Sequence, residues 1–581
     1  MMEENMSNIN DFVIEDGVLE EYTGKGGKIV IPEGVTCIGR YAFSDCDEIT
    51  SVAIPDTVTK IEGSAFENCT KLASITIPDS VKEICFDAFA GTRYFKDKKN
   101  WQNDVLYIGN HLIKANKTIS GSCIIKDGTV LIADDAFSGC KMLESVNIPN
   151  SVKSIGSSAF QNCSELTEVT IPDSVTNIPS YAFNFCEKLA SITLPDSITS
   201  IGSGAFGYTA YYNDASNWQN GVFYVGNFLL KAQSTLSGKY AVKDGTIFIA
   251  YSAFDNCNEL TSISIPKSVK YIDGNVFSGC SSLDSITVEE GNPVYHSSGY
   301  CLIKTGSKTL LSGCNNSVIP NDGSVEKIYH GAFRGCVGLK TIVIPDSVVE
   351  IEGSSFADCK NLESVTLSKS IKKIESYTFG GCEKLAEISI PDSVTEIDYG
   401  VFNDCNTLSK ITIGSGLQDM SESGEIAKGC ESISFIEVSA KNEHLRSIDN
   451  CLVFIDENKL VIVGKDGKIP EDKNITKIGK YAFSGRKGLK TIVVPSNITE
   501  IGVGAFSECE NLESVSIPES VTKIGSQAFI RCKSLKTLLI PSTVKEIGSD
   551  IFMYANTTVV CKENSYAHKY AKKNKIKFEI I

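Results

Sequence analysis

The chain has 581 residues, of which 42% are hydrophobic and 22% charged, and its formal net charge is −16. This composition excludes a disordered chain, and its length exceeds one ordinary core, which favours several domains or a repeat architecture. Nucleic-acid binding is not expected, because no dominant stripe of Lys and Arg is present to meet phosphates.

The N-terminal segment is polar and acidic, and it lacks the basic and apolar regions of a signal peptide. Residues 1–10 are expected to form a disordered tail. No apolar run reaches the ~20 residues that span a bilayer, and the C-terminus shows no sorting tail. The sequence as encoded therefore predicts no membrane insertion and a cytoplasmic location.

A phenylalanine recurs every 23 residues wherever no insertion intervenes, which is typical of stacked repeats. The series is Phe43, Phe66, Phe89, Phe137, Phe160, Phe183, Phe206, Phe254, Phe277, Phe333, Phe356, Phe379, Phe402, Phe483, Phe506, Phe529 and Phe552. Each member is expected to insert one ring into a shared core, in 17 or 18 coils.

The coil that follows Phe160 shows the pattern within one unit. Val169 and Ile171 alternate with polar residues, as in a β-strand with one buried face. Pro172 then predicts a turn, and the segment around Phe183 predicts a compact helical or 3₁₀ turn. These features predict a β-rich leucine-rich-repeat solenoid with short helical turns, a 23-residue period and β-hairpin insertions.

Two types of insertion interrupt the spacing. The first contains Trp101 and Tyr107 and is repeated 117 residues later with Trp218 and Tyr224. It predicts a β-hairpin that bulges from the solenoid. The second spans residues 280–336 and recurs 150 residues later at 430–486. Coils and insertions were therefore duplicated together.

These interruptions divide the chain into repeats and insertions, with a short basic helix and a last strand expected in the C-terminal cap. The predicted segments are a disordered tail (1–10), an N-terminal cap with repeats (11–94), a hairpin insertion (95–123), repeats (124–211), a hairpin insertion (212–240), repeats (241–290), an insertion (291–325), repeats (326–440), an insertion (441–475), repeats (476–560) and a C-terminal cap (561–581).

The coil from Ile171 to Leu189 reads Ile-Pro-Asp-Ser-Val-x-x-Ile-x-x-x-Ala-Phe-x-x-Cys-x-x-Leu. It resembles the BspA-like leucine-rich repeats, and the resemblance extends from about Asp11 to Ile581. It implies a solenoid, frequently on microbial cell surfaces, whose relatives adhere to host, matrix or microbial proteins. It implies no catalytic residues.

Thirteen cysteines stand three residues after the repeat phenylalanine, and they are interpreted as buried thiols that fill a turn and bond weakly to its backbone. They are Cys46, Cys69, Cys140, Cys163, Cys186, Cys257, Cys280, Cys336, Cys359, Cys382, Cys405, Cys509 and Cys532. A metal site would need motifs such as Cys-x-x-Cys, which do not occur. A column of aspartates at one corner is interpreted as solvated turns in preference to a calcium ladder. No metal, cofactor or enzymatic activity is expected.

Outward strand positions form columns of Ser and Thr, including Ser51, Ser74, Ser145, Ser191, Ser262, Ser285, Ser364 and Ser514, with Thr76, Thr170, Thr193, Thr287 and Thr366 two residues further along. Interface hot spots favour Trp and Tyr, which makes Trp101, Tyr107, Trp218 and Tyr224 candidate partner contacts. The alternative is that these rings pin each hairpin onto its coil. The preferred hypothesis is a non-catalytic protein that binds protein partners; the alternatives are a structural spacer that displays its hairpins and an intracellular scaffold.

Overall fold

A computed structural model describes residues 9–420 and 425–581 and shows a β-solenoid of about 24 turns with few helices. The predicted β-rich repeat solenoid with a period of about 23 residues is confirmed. The turns outnumber the 17 or 18 coils expected from the phenylalanine series, because the insertions add turns of their own. Residues 1–8 of the expected tail lie outside the described residues, whereas Ile9–Asp11 form a 3₁₀ helix.

The chain forms two compact units. The first contains the described residues up to 232 together with 245–253 and 269–273. The second contains residues 233–244, 254–268 and the described residues from 274 onward. Within each unit, the turns contribute two rows of parallel strands, which we call face strands and back strands.

Face strands follow the repeat leucine and place alternate residues on the outer surface. In the first unit they are Gly27–Val30, Ile49–Ala53, Ser74–Thr76, Ser120–Ile124, Met142–Asn147, Glu168–Thr170 and Ser191–Thr193. In the second unit they are Ser237–Ala241, Glu259–Ile265, Ser285–Val288, Thr341–Val343, Ser364–Thr366, Glu387–Ile390, Lys410–Ile413, Phe435–Val438, Thr491–Val493, Ser514–Ser516, Thr537–Leu539, Thr558–Cys561 and Phe578–Ile580.

Back strands follow the proline corner and mostly have two residues. In the first unit they are Val18–Tyr22, Cys37–Ile38, Lys60–Ile61, Glu83–Ile84, Leu131–Ile132, Ser154–Ile155, Asn177–Ile178, Ser200–Ile201, Phe248–Ile249 and Tyr271–Ile272. In the second unit they are Lys327–Ile328, Glu350–Ile351, Lys373–Ile374, Glu396–Ile397, Asp419–Met420, Lys477–Ile478, Glu500–Ile501, Lys523–Ile524 and Glu546–Ile547.

The turn around Phe160 shows why each coil closes so tightly. Ser158 and Asn162 have φ of 54° and 60°, and this left-handed backbone prevents a continuous helix. The N–H of Cys163 donates to the Phe160 carbonyl at 3.3 Å, so the segment is a run of β-turns and not the helical or 3₁₀ turn expected. The Phe160 N–H donates at 2.8 Å to Ala182 in the next coil, which fixes the stacking distance.

The repeat phenylalanines stack ring on ring between adjacent coils. The Phe160 ring centroid lies 4.9 Å from that of Phe137 and 5.1 Å from that of Phe183, with nearly parallel planes. All three rings are fully buried. Each coil therefore completes the core of its two neighbours, as a solenoid requires.

The first insertion type forms an antiparallel hairpin of Val105–Ile108 and His111–Ala115, and the latter pairs in parallel with the back strand Leu131–Ile132. Every residue of Val105–Ile108 is buried. The expected outward bulge is therefore wrong: the hairpin takes the place of a coil, because its apolar residues are covered on both faces. The second copy repeats this arrangement with the strands Val222–Val225 and Phe228–Ala232.

The second insertion type is a three-stranded antiparallel sheet whose last strand pairs in parallel with a back strand. Its copies contain the strands Tyr295–Ser298, Cys301–Lys304 and Thr309–Ser312, and the strands Leu445–Ile448, Cys451–Phe454 and Lys459–Ile462. Both copies therefore supply the first strands of a sheet of back strands.

Within residues 9–420 and 425–581, helices occur only in the first insertion type and at the two ends. They are α1 (Arg93–Lys96), α2 (Ala210–Asn213) and α3 (Tyr566–Lys573), with 3₁₀ turns at Lys98–Asn100 and Ala215–Asn217. Short strands Trp101–Gln102 and Trp218–Gln219 follow these turns, and Phe12–Glu15 forms the N-terminal hairpin with Val18–Tyr22. Ser565 caps α3 by accepting the His568 N–H at 3.2 Å. This helix and the last strand, Phe578–Ile580, occupy the segment in which a basic helix and a strand were expected.

Candidate interaction surface

The second outward position of the face strands forms a nearly uncharged column, which we call the strand-face column. In the first unit it consists of Val30, Ala53, Thr76, Ile124, Asn147, Thr170 and Thr193. In the second unit it consists of Ala241, Ser264, Thr287, Val343, Thr366, Ser389, Thr412, Glu437, Val493, Ser516, Leu539, Val560 and Glu579. Thr412 and Val560 are half-buried and the other members are exposed. Parallel pairing places neighbouring members directly beside each other, as with Thr170 and Thr193.

Several members of this column are exposed aliphatic residues. Ile124 is 77% exposed and Val493 is 73% exposed, and Val343 is the residue that corresponds to Val493 in the 150-residue duplication. β-Branched residues favour strands, but because these side chains are exposed, they add no hydrophobic stabilisation to the free protein. The column therefore offers apolar surface between hydroxyl groups.

The back strands carry the opposite character, with lysine and glutamate alternating between adjacent turns. Lys327 contacts Glu350 at 2.8 Å, and Lys373 contacts Glu396 at 2.6 Å. Exposed pairs of this kind contribute little to stability. They make the back of the second unit charged and strongly hydrated, in contrast to the strand-face column.

The cysteine column lies inside the coils, with half-buried Cys46 as its exception. The Cys163 Sγ–H donates to the Phe137 carbonyl in the preceding coil at 3.2 Å, and Cys186 donates to Phe160 at 3.1 Å. All 21 cysteines are free. Burial raises the pKa of Cys69 and of Cys280 to about 12, so these thiols stay protonated and can donate. Their contacts link each turn to the one before it.

The first hairpin holds the predicted contacts Trp101 and Tyr107 against its own coil. The Trp101 indole N–H donates to the Phe95 carbonyl at 2.8 Å, and its ring stands edge-on to Phe95. Tyr107 is buried, and its hydroxyl accepts the Lys126 N–H at 3.2 Å. Burial raises the pKa of Tyr107 above its usual value. The polar atoms of both rings therefore bond within the chain. Of the two rings, Trp101 alone stays partly exposed.

The second hairpin treats Trp218 and Tyr224 in the same way. The Trp218 indole N–H donates to the Tyr212 carbonyl at 2.7 Å, and its ring packs against Tyr212 and Phe223. Tyr224 is buried. Each tryptophan therefore anchors the chain that enters its hairpin, and contact with a partner stays a prediction for all four predicted residues.

Two searches of the described residues bear on other chemistry. Across residues 9–420 and 425–581, no group of three or more His, Cys, Asp or Glu side chains is arranged to hold a metal ion. In the same part of the chain, none of the helices has the length and apolar character that crossing a bilayer requires.

Sequence reasoning identified the hydroxyl columns of the face strands but overlooked the aliphatic members and two exposed aromatic residues, Phe185 and Tyr208. These two stand two residues after the repeat phenylalanine, where most coils have Gly, Asn or Asp. Aligning the coils at this position would have identified both, together with Tyr554, as aromatic exceptions.

Comparisons with known proteins agree with this architecture. A family model described as a BspA type leucine rich repeat region, in six copies, matches residues 14–121, 115–237, 215–322, 303–434 and 465–574. A search of curated proteins found no match.

Solved structures similar to the chain include three bacterial proteins. A leucine rich cell surface protein from Faecalibacterium prausnitzii is 27% identical, with 74% of this chain and 92% of that chain covered and a TM-score of 0.32. A leucine-rich repeat protein from Bacteroides ovatus is 20% identical, with 98% and 100% covered and a TM-score of 0.27. The pneumococcal vaccine antigen PcpA is 19% identical, with 80% and 86% covered and a TM-score of 0.30. Because the repeat model matches most of the sequence, the chain belongs to the BspA-type leucine-rich repeat family.

Proposed function

We propose that this protein is a non-catalytic binding protein that engages other proteins through its strand-face column, with adhesion to host, matrix or microbial proteins as the specific role. One observation carries the proposal: the column remains mostly uncharged from turn to turn, with Glu437 and the terminal Glu579 as its charged members among the described residues. Charged residues make up 22% of the whole chain.

The column has the physical character of the centre of a protein interface. Interface centres are depleted of charged residues, because removing a charge from water is costly unless it is paired. Ile124, Val343 and Val493 bring apolar area that is exposed in the free protein and that a partner could bury. The short side chains of the column also lose little rotamer freedom on binding.

Repetition strengthens such a surface. Each turn offers the same small set of groups, so a partner with its own repeats engages several turns at once. Weak individual contacts then combine into a useful affinity. Members of this family are generally non-catalytic, which supports a binding role in preference to an enzymatic one.

The tryptophans of the hairpins are proposed as secondary contacts. Trp101 and Trp218 keep part of their rings exposed, whereas Tyr107 and Tyr224 are buried and can influence a partner only by positioning the hairpin. Replacing either tryptophan with alanine tests this role. If Trp101→Ala and Trp218→Ala lower stability but leave binding unchanged, the tryptophans only anchor their hairpins.

The test of the strand face uses the full chain immobilised on a sensor surface. Purified extracellular-matrix proteins and intact bacterial cells are passed over it, and saturable binding identifies the partner. Val343→Lys together with Val493→Lys places two charges on the strand-face column, and we expect affinity to fall by about tenfold or more.

Val349→Lys is the matched control. Val349 is also an exposed valine of the second unit, 55% exposed against 63% for Val343, but it lies outside the face strands. Binding should survive this change. Equal losses in the control and in the double variant, or no saturable binding to any protein ligand, contradict the proposal and favour a structural spacer.

A further inference from the structure

A cavity of about 330 Å³ lies in the first unit where the coil of Phe206 meets the second hairpin. Tyr181, Tyr208, Tyr212 and Tyr251 contribute to its walls, together with Lys231. Four tyrosines in one cavity wall are notable, because binding hot spots are enriched in tyrosine and cluster in pockets.

Two exposed aromatic residues beside this cavity occupy backbone positions that disfavour them. Phe185 and Tyr208 both have φ of +59°, a left-handed conformation that bulky residues rarely adopt. Most equivalent residues in other coils are Gly, Asn or Asp, namely Asp45, Asn68, Gly91, Gly139, Asn162, Asn256, Gly279, Gly335, Asp358, Gly381, Asp404 and Gly485. The larger residues at this position are Glu508, Arg531 and Tyr554, all in the second unit.

Burial gives no compensation for this strain. Phe185 is 39% exposed and Tyr208 is 58% exposed, and their rings stack face to face at 4.4 Å with planes 1° apart. Backbone strain that is not offset by burial of the side chain is typical of functional sites. We therefore read the stacked pair as a binding surface.

The tyrosine rings of the cavity are held in place before any ligand arrives. The Tyr181 ring covers Gly204, where an added Cβ would lie 2.8 Å from the ring. Tyr212 packs edge-on against Trp218 at 5.2 Å and Phe223 at 5.0 Å. Rings that are already ordered lose little entropy on binding. Trp218 thus supports the cavity even though its own indole N–H is engaged within the chain.

The polar groups of the cavity narrow the class of ligand. The Asn184 amide donates to the carbonyls of Gly204 and Gly207 at 3.2 and 3.3 Å, so its donors are engaged within the wall. Lys231 brings a positive charge, and the described lining residues include no carboxylate, although the chain has a net charge of −16. An apolar, flat group near a negative charge fits this wall better than a sugar with many hydroxyl groups.

A proline ring satisfies these requirements. Proline has no N–H to leave unpaired, and proline-rich segments are already extended in the free state. Aromatic-lined grooves bind such segments elsewhere by the same physical means. A carboxylate beside the proline would meet Lys231.

The 117-residue duplication provides the same scaffold without the aromatic residues. The positions of Tyr181, Phe185, Tyr208 and Tyr251 are occupied in the first copy by Ser64, Asn68, Gly91 and Asp134. The two hairpins share their strand pairing. The aromatic residues are therefore not needed to build the hairpin, which separates binding from folding.

We propose that this cavity binds an extended, proline-containing polypeptide segment that carries a carboxylate next to the proline. The proposal rests on the proposed protein-binding function and adds to it the location and chemistry of one contact.

The experiment measures binding of a fluorescently labelled synthetic peptide, with a Pro-x-x-Pro core flanked by glutamates, to the full chain. A peptide with alanine in place of proline is the matched probe. The variant combines Phe185→Asn and Tyr208→Gly, the residues of the first copy. Because Asn and Gly favour positive φ, this variant should melt no lower than the wild type, while its affinity falls by about tenfold or more.

Two further variants complete the test. Lys231→Gln should weaken binding and reduce its salt dependence, and Tyr41→Ser, which removes another exposed tyrosine of the first unit, should leave binding unchanged. Equal binding of both peptides, no effect of the double variant, or binding of a neutral oligosaccharide in place of the peptide overturns the proposal.

Failure here is distinguishable from failure of the proposed function. A Phe185→Asn/Tyr208→Gly variant that binds the peptide as tightly as the wild type refutes the cavity but leaves the strand face standing. Loss of partner binding in the strand-face variants, with peptide binding intact, leaves both proposals standing as separate contacts. Peptide binding with no protein partner for the full chain sinks the strand-face proposal alone.

Discussion

Replacing one internal phenylalanine tests the stacked core of the second unit. Phe356 is fully buried, and its ring centroid lies 4.9 Å from Phe333 and 5.5 Å from Phe379. Phe356→Ala removes a buried aromatic side chain and leaves a cavity, which costs about 3–5 kcal/mol. Loss of two ring contacts adds about 0.5–1.5 kcal/mol each. We therefore expect the free energy of unfolding to fall by about 5 kcal/mol or more.

Phe552→Ala is the matched control at the C-terminal end of the series. Phe552 is 7% exposed and stacks on Phe529 at 5.9 Å, so its removal should cost less. Guanidinium unfolding measures the loss of unfolding free energy. Hydrogen exchange read by mass spectrometry shows which coils become more exposed. A solenoid interacts only between neighbours, so Phe356→Ala should expose mainly the coils of Phe333 and Phe379.

The stacked core is refuted if Phe356→Ala lowers the free energy of unfolding no more than Phe552→Ala does. It is equally refuted if exchange rises uniformly along the second unit, because uniform exposure would mean that the coils unfold as one body. A loss confined to the three coils around residue 356 supports the ring stack as the element that transmits stability between turns.

Three more predictions follow from buried groups of the first unit. Under native conditions a thiol alkylating agent should modify half-buried Cys46 before the fully buried Cys186, whereas unfolding should equalise the two in a peptide-level mass spectrum. Burial lowers the pKa of His111 below 6.5 in the folded protein. Its contribution to stability is therefore present above the pKa of the unfolded chain and is lost as pH falls through the pKa of the folded protein. His111→Phe, which copies Phe228 of the second hairpin, should reduce the drop in melting temperature between pH 7 and 5. Burial raises the pKa of Asp134 from 3.8 to about 6. The contribution of Asp134 to stability is therefore present below pH 3.8 and is lost as pH rises through about 6. Asp134→Asn should raise the melting temperature relative to the wild type at pH 8 but not at pH 4.

These three outcomes have clear opposites. Equal native labelling of the two cysteines would mean that the thiol column is open to solvent. If His111→Phe or Asp134→Asn leaves the pH dependence of the melting temperature unchanged, the replaced side chain has the same pKa in the folded and the unfolded protein.

The repeating part of the fold could be predicted from the sequence, because each coil meets almost the same neighbours. A residue type needed at one turn is needed at the next, so Phe160 and Cys163 mark a ring and a thiol whose roles recur every 23 residues. The spacing between such residues then gives the stacking directly. This is why the period, the buried phenylalanines and the alternating face strands were predictable.

Only the tertiary structure decided what happens where the repeat breaks. The hairpin at Val105–Ile108 is apolar on both faces, and a sequence pattern cannot show whether neighbouring coils cover both faces or leave one in water. The structure places it inside the core. The same limit applied to Tyr107, whose burial depends on residues far along the chain.

The aromatic cavity was beyond sequence reasoning for the same reason. Tyr181 and Tyr251 are separated by a complete insertion, and nothing local to either residue indicates that they share a wall. The sequence by itself determined the repeating contacts, because periodic spacing encodes them. Contacts between a coil and an insertion occur only once, so they required the folded chain to bring their residues together.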